Sequence, residues 1–202
     1  TPYGLALKPF PACGATHPGI EAAASLSGRV APQNIAHVRV GAAQMATQPL
    51  IYDIPATPLE AKFSMHYCIA AALADGHVRL ETFSAERLAD PRLMELAAKV
   101  TMEVDERVRD DSEFATHVRV ETVDGAGHEA FVPLARGKPE RWMSRADVAE
   151  KFADCARHGG VENAGALLDT LLRLDGDLPA ATFAAVLASP PPGVGKARQA
   201  WQ

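Results

Sequence analysis

The chain has 202 residues, 48% of them hydrophobic and 22% charged, a composition that fits one packed domain or slightly more and excludes a disordered chain. Lys and Arg number 20 against 25 Asp and Glu, for a net charge of -5, so there is no electrostatic case for nucleic acid or an anionic membrane. No run approaches the ~20 apolar residues of a membrane span, and three scattered cysteines (Cys13, Cys68, Cys155) point to a reducing, cytoplasmic setting rather than a disulfide framework.

The chain opens Thr1-Pro2-Tyr3 without Met or a signal-peptide pattern, and reads as a piece of something longer. Pro2, Pro9, Pro11 and Pro18 predict an extended, kinked entry over residues 1–19. An Ala-rich helix is expected over about residues 18–26, closed by Gly28. Residues 35–41 alternate with period two, Val38 and Val40 to one side and His37 and Arg39 to the other, as in a half-buried strand. After a loop broken by Pro49, Pro55 and Pro58, one helix is predicted over 59–74, apolar around most of its circumference and therefore central, stopping at Asp75-Gly76. A second helical stretch, 84–100, has Ser84 as its N-cap and a break before Pro91.

Alternating segments at 100–104, 116–123 and 128–134 read as strands, the last two joined by a hairpin at 124–127, and 137–140 reads as a further turn. From Ser144 the pattern is helical. Ser144 and Asp147 resemble a capping box, and Gly159-Gly160 ends that helix. An amphipathic helix over 161–174 carries leucines at 167, 168, 171, 172 and 174, and a short one is expected over 178–187. The fold class is thus α+β: a small antiparallel sheet with helices packed on one face, followed by C-terminal helices. The corresponding division is a small α+β domain at 1–140, helices at 141–188 and a Pro-rich tail at 189–202.

Two polar clusters stand out. Between Lys8 and His17 a proline-held segment carries a cation, a thiol (Cys13), a hydroxyl (Thr16) and an imidazole. Lys8 suits a carboxylate as a point charge, and His17 suits acid–base work near neutral pH. On residue types alone the plainer account is the stronger: a surface Lys8, a His17 near a helix N-terminus and a Cys13 packed as a small hydrophobe. The second cluster, Lys62, Ser64, His66 and Tyr67, lies in the predicted central helix, where polar groups are either hydrogen-bonded in the core or face a cleft. Metal binding has no support, since no C-x-x-C or H-x-x-x-H spacing occurs on a clear helix, and His37 and His117 sit on solvated strand faces. A dinucleotide fingerprint, a phosphate loop and a G-x-S-x-G elbow are also missing.

The segment from Lys8 to His17 resembles the K-P-[YF]-P-x-C-x-x-T-H motif of the MmgE/PrpD family, which includes 2-methylcitrate dehydratase, cis-aconitate decarboxylase and iminodisuccinate epimerase. Residues 61–76 resemble its A-K-F-S-x-x-Y-x-x-A-x-x-L-x-D-G helix, and 83–91 its F-x-x-x-x-L-x-D-P. The turn Arg136-Gly137-Lys138-Pro139-Glu140 and the run from Ser144 to Phe152 resemble its P-x-G-x-P and L-S-x-x-x-x-x-K-F segments.

The resemblance covers the C-terminal half of the family and implies a lyase or isomerase of small di- or tricarboxylates that uses no metal or organic cofactor. It implies dehydration of the 2-methylcitrate dehydratase kind first, with epimerisation and decarboxylation as other branches. By the same likeness the partner is a second copy or an N-terminal helical half, and the chain alone is inactive, because an Asp and a His of the family site belong to that other half. Carried over, Lys8 binds or protonates a carboxylate or enolate, Tyr67 lines the same pocket, and His17 and Cys13 lie near it. In the decarboxylase branch a His stands where Cys13 is; a thiol of pKa ~8.5 is a different acid from an imidazolium of ~6.5, which argues against decarboxylation. His66, where many members have Pro, leaves the substrate open. The alternative is a non-catalytic subunit or polycarboxylate-binding domain acting through a helical interface.

Overall fold

The computed structural model describes residues 5–108, 114–161, 163–173 and 179–188. The strands are β1 (Ile35–Ala42), β2 (Val100–Val104), β3 (Thr116–Thr122) and β4 (Gly127–Val132). They form one four-stranded sheet of order β2-β1-β3-β4 among the described residues. Its register follows from the alternation of side chains. Val38 lies beside Val100 and Val120, and Val40 beside Val118, and all five are buried on one face. On the other face Arg39 stands opposite Arg119, like charges that Glu121 bridges at 4.0 and 3.4 Å.

The sheet is mixed rather than wholly antiparallel, because β2 runs parallel to β1. A parallel neighbour needs a long crossover, and residues 43–99 supply it with helices. In chain order the helices are α1 (His17–Leu26), α2 (Gln44–Thr47), α3 (Pro58–Ala61), α4 (Met65–Asp75), α5 (Ala85–Leu88), α6 (Pro91–Ala98), α7 (Arg145–His158), α8 (Ala164–Leu171) and α9 (Ala180–Ala188). α1 packs on β3, β4 and α4, and α4 in turn packs on α6 and β2, which builds the core on one side of the sheet. Every residue of α4 from Met65 to Leu73 is buried, and three of them are alanines that let neighbouring elements approach closely.

The single helix expected over 59–74 is two. Thr57 caps α3, which ends at Ala61 in a turn through Lys62 and Phe63, and Ser64, extended at φ -106° and ψ 114°, starts α4 as its N-cap. The Ser64 hydroxyl accepts from the Tyr67 N–H at 3.1 Å and donates to the Asp53 carbonyl at 3.0 Å, so the cap also ties the preceding loop to the helix. Elsewhere the punctuation is as expected. Ser84 caps α5, the helical stretch breaks before Pro91, and Gly76, at φ +74°, closes α4; Asp90, whose side chain accepts from the Arg92 N–H, caps α6 in addition.

The chain divides into two compact units, Thr1–Met143 and Ser144–Gln202. In the second, α7 begins with a reciprocal capping box between Ser144 and Asp147. α8 packs on α7 and has no buried residue; Leu167, Leu168 and Leu171 are half-buried, and Leu172 just beyond is 37% exposed. The Pro-rich tail expected at 189–202 lies outside the described residues. Among the described residues no helix is long and apolar enough to cross a membrane.

Candidate active site

The entry segment is held in place by its backbone. The Cys13 N–H donates to the Lys62 carbonyl at 2.9 Å, which ties it to the break between α3 and α4. The Cys13 carbonyl accepts from the Thr16 N–H at 3.0 Å and from the Thr16 hydroxyl at 2.7 Å, closing a tight turn at Gly14–Thr16. α1 follows at once, with Pro18 in its first turn, where the missing N–H costs no helical hydrogen bond.

That turn brings Lys8 and His17 to one point. The Lys8 ammonium donates to the Ala12 carbonyl at 3.2 Å, and His17 Nε2 lies 3.3 Å from the same oxygen. A carbonyl only accepts, so in this geometry Nε2 carries the proton. The imidazole is 3% exposed and stands edge-on to Phe10, ring centres 5.4 Å apart at 88°. Cys13 is half-buried between them in sequence and is a free thiol.

Lys8 and His17 line a cavity of about 220 Å³ whose other walls include Phe114, Leu134, Arg136 and Lys138. Ligand pockets for drug-sized molecules run from about 300 Å³ upward, so this one fits a small metabolite rather than a nucleotide. The opposite wall is set by backbone pairing. The Leu7 N–H donates to the Gly137 carbonyl at 2.9 Å, and the Gly137 N–H to the Arg141 carbonyl at 2.8 Å. Glu21, one helical turn beyond His17 on α1, anchors this loop. Its side chain is 6% exposed; Oε1 accepts from the Arg136 N–H at 2.7 Å, and Oε2 lies 2.8 Å from Arg141 Nη1 and 3.4 Å from Arg136 Nε. The Lys138 ammonium stands 6.0 Å from the centre of the Phe114 ring. Among the described residues the cavity lining holds three cations and no carboxylate.

Tyr67 stands apart from this cavity. Its ring is fully buried beside Phe83, and its hydroxyl donates to the Thr82 carbonyl at 2.6 Å. Burial pushes the phenol up to about 12. Of the other residues in the second cluster, Lys62 reaches over Phe83 at 5.9 Å and Ser64 is the helix cap described above. His66 is 8% exposed, and its Nδ1 lies 3.6 Å from Asp53 Oδ1 without a hydrogen bond. The structure therefore brings Lys8 and His17 together and leaves both Cys13, packed against the core, and Tyr67 outside the cavity lining. Reading the sequence picked out neither Glu21 nor the cations of the 136–141 loop as site residues. The one signal available was the Arg-Gly-Lys-Pro turn itself, basic on both sides of a glycine.

Among the described residues no group of three or more His, Cys, Asp or Glu is placed to hold a metal ion. The model of the MmgE/PrpD C-terminal domain matches residues 10–173, and the chain belongs to that family. Membership brings lyase- or dehydratase-like chemistry at the level of the family. Comparison with curated proteins finds no match to the chain.

Proposed function

We propose that the cavity beside Lys8 is this chain's contribution to the active site of a cofactor-independent lyase or isomerase acting on a small di- or tricarboxylate. Dehydration of the 2-methylcitrate dehydratase kind is the reaction the reading prefers. The observation that carries it is the convergence of Lys8 and His17 on one carbonyl at the wall of a small cavity.

The chemistry asks for such an arrangement. Removing a carbon-bound proton α to a carboxylate builds an enediolate, whose charge a nearby ammonium stabilises more than it stabilises the ground state. Lys8 holds the carboxylate and follows that charge. His17, with a proton on Nε2, serves as the acid or base close by. Cys13, where the decarboxylase branch has His, favours dehydration or epimerisation over decarboxylation. A part for Tyr67 rests on the family likeness, since its hydroxyl here is given to Thr82. The family's Asp and His partners come from its other half, so the 202 residues by themselves are expected to turn over little.

The half-exposed leucines of α8 favour a second reading, a non-catalytic subunit whose C-terminal helices form an interface with a second copy or a helical half. One screen separates the two. Methylcitrate, cis-aconitate and iminodisuccinate are incubated with the 202-residue chain and with the full product of its gene, and the products are followed by NMR. Turnover by the full product that Lys8→Ala abolishes supports the enzyme. Binding without turnover in either form supports the second reading, and turnover by the 202-residue chain alone overturns the expected inactivity.

A further inference from the structure

We infer that the cavity beside Lys8 is an apolar subsite, which takes an alkyl or phenyl arm of a carboxylate ligand while the carboxylate itself stays at Lys8 on the rim. The inference deepens the function proposed above and rests on its reading of Lys8 as the partner of a substrate carboxylate.

Three observations carry it. First, the walls are mostly apolar: Leu7, Pro18, Phe114, Pro133, Leu134 and Ala135 all face the cavity. Second, the basic residues of the far wall have partners of their own. Arg136 Nε lies 3.4 Å from the buried Glu21 carboxylate, and the Lys138 ammonium stands 6.0 Å from the centre of the Phe114 ring. Long side chains held in this way cover apolar surface with their methylenes. Lys8 differs from them. It is exposed, and its ammonium donates to an uncharged group, the Ala12 carbonyl, at 3.2 Å, so its charge is available to an anion arriving from solvent.

The third observation is size. An apolar cavity of about 150 Å³ holds a benzene molecule, so one of about 220 Å³ admits a phenyl ring or a chain of about four to six carbons. A carboxylate pushed in against Phe114 and Leu134 would lose its hydration there, whereas an apolar arm gains by leaving water. Each methylene that does so is worth about fourfold in affinity. A methyl group would fill only a small part of the space. Rim and interior thus divide a ligand into a charged head and an apolar arm. For the lyase or isomerase read above, this names the substrate class as a polycarboxylate with one alkyl or aryl arm larger than methyl.

The test titrates malonate, butylmalonate and citrate into the 202-residue chain at fixed ionic strength, followed by NMR. Butylmalonate is expected to bind at least about tenfold more tightly than malonate, since burial of about half the butyl chain suffices for that factor. Leu134→Asn sets an amide against the arm and is expected to bring the two acids to about equal affinity. Gly14 also lines the cavity, and a Cβ on it would meet no atom within 4 Å, so Gly14→Leu has room for its side chain and is expected to occupy the space of the arm. This second variant keeps the test decisive if Leu134→Asn fails to fold. Neither is expected to change citrate binding, whereas Lys8→Met is expected to weaken all three acids about tenfold. Equal affinity of the parent chain for malonate and butylmalonate, with both weakened by Lys8→Met, overturns the subsite and leaves the Lys8 reading. A preference for butylmalonate that the cavity variants remove, in a chain whose affinities Lys8→Met does not change, overturns the Lys8 reading and leaves the subsite. A preference that survives both cavity variants overturns the subsite, and binding of none of the acids overturns both.

Discussion

Leu7 and Gly137 touch backbone to backbone: the Leu7 N–H donates to the Gly137 carbonyl at 2.9 Å, and a Cβ placed on Gly137 would lie 1.8 Å from the Leu7 oxygen. Gly137 also has φ +89°, where a side chain is strained whatever the space. The site therefore needs glycine twice over. Gly137→Ala is expected to lower stability by about 2 kcal/mol or more and to push the Lys8 segment off the loop. Gly125 in the β3–β4 hairpin is the control. Its φ of +84° is similar but nothing lies within 4 Å, so Gly125→Ala costs about 1 kcal/mol. Urea unfolding with citrate titration distinguishes the two: the Gly137 variant loses both stability and binding, the Gly125 variant a little stability only. Equal citrate binding in both would show that the Leu7–Gly137 contact does not organise the cavity.

Tyr67 makes a different kind of prediction, because its hydroxyl bonds a buried carbonyl and not the cavity. Tyr67→Phe leaves the Thr82 carbonyl unpaired and is expected to cost about 1–3 kcal/mol, with citrate affinity unchanged. Spectrophotometric titration supplies an independent check. The absorbance step near pH 12 present in the parent should vanish in the variant, since burial holds this phenol at about 12. A variant of full stability would mean that the Thr82 bond contributes nothing.

These residues show what local sequence does and does not encode. The caps at Ser84 and Ser144 were legible because a cap is a relation between neighbours three residues apart, as were the β3–β4 hairpin and the inward valines of β1. The split at Ser64 was missed because residues 59–74 hold no Pro or Gly, and the polar residues around Ser64 suit one side of a continuous helix as well as they suit a cap. Nothing in the pattern of residues 100–104 states whether the strand runs parallel or antiparallel to its partner; the crossover decides it. The far wall of the cavity was hidden for the same reason. Glu21 and Arg136 are 115 residues apart, and neither has any local feature pointing to the other.

Ser64 holds two segments with one oxygen, accepting from Tyr67 and donating to Asp53 while fully buried. Ser64→Ala removes the α4 cap and strands both partners, so a loss of about 1–3 kcal/mol is expected, at or above the usual range for a cap. Hydrogen exchange locates the effect. The Tyr67 amide and the loop around Asp53 should lose protection together, and loss at only one of them would show that the hydroxyl does not couple the two.

His66 gives the fold a pH dependence on the acid side. Burial lowers its pKa below 6.5, and the Asp53 carboxylate, 3.6 Å away, opposes that shift without reversing it. Above 6.5 the ring is neutral in both folded and unfolded chains, and it contributes no slope. As the pH falls through 6.5 the unfolded chain takes the proton first, so stability declines until the folded pKa is passed and the loss is complete. Asp53→Asn removes the opposing charge and should therefore deepen the decline, whereas His66→Gln should remove it. Urea midpoints compared at about pH 7.5 and about pH 5.5 read all three chains against one another. If Asp53→Asn shrank the acid loss instead, burial would not be the dominant influence on this imidazole.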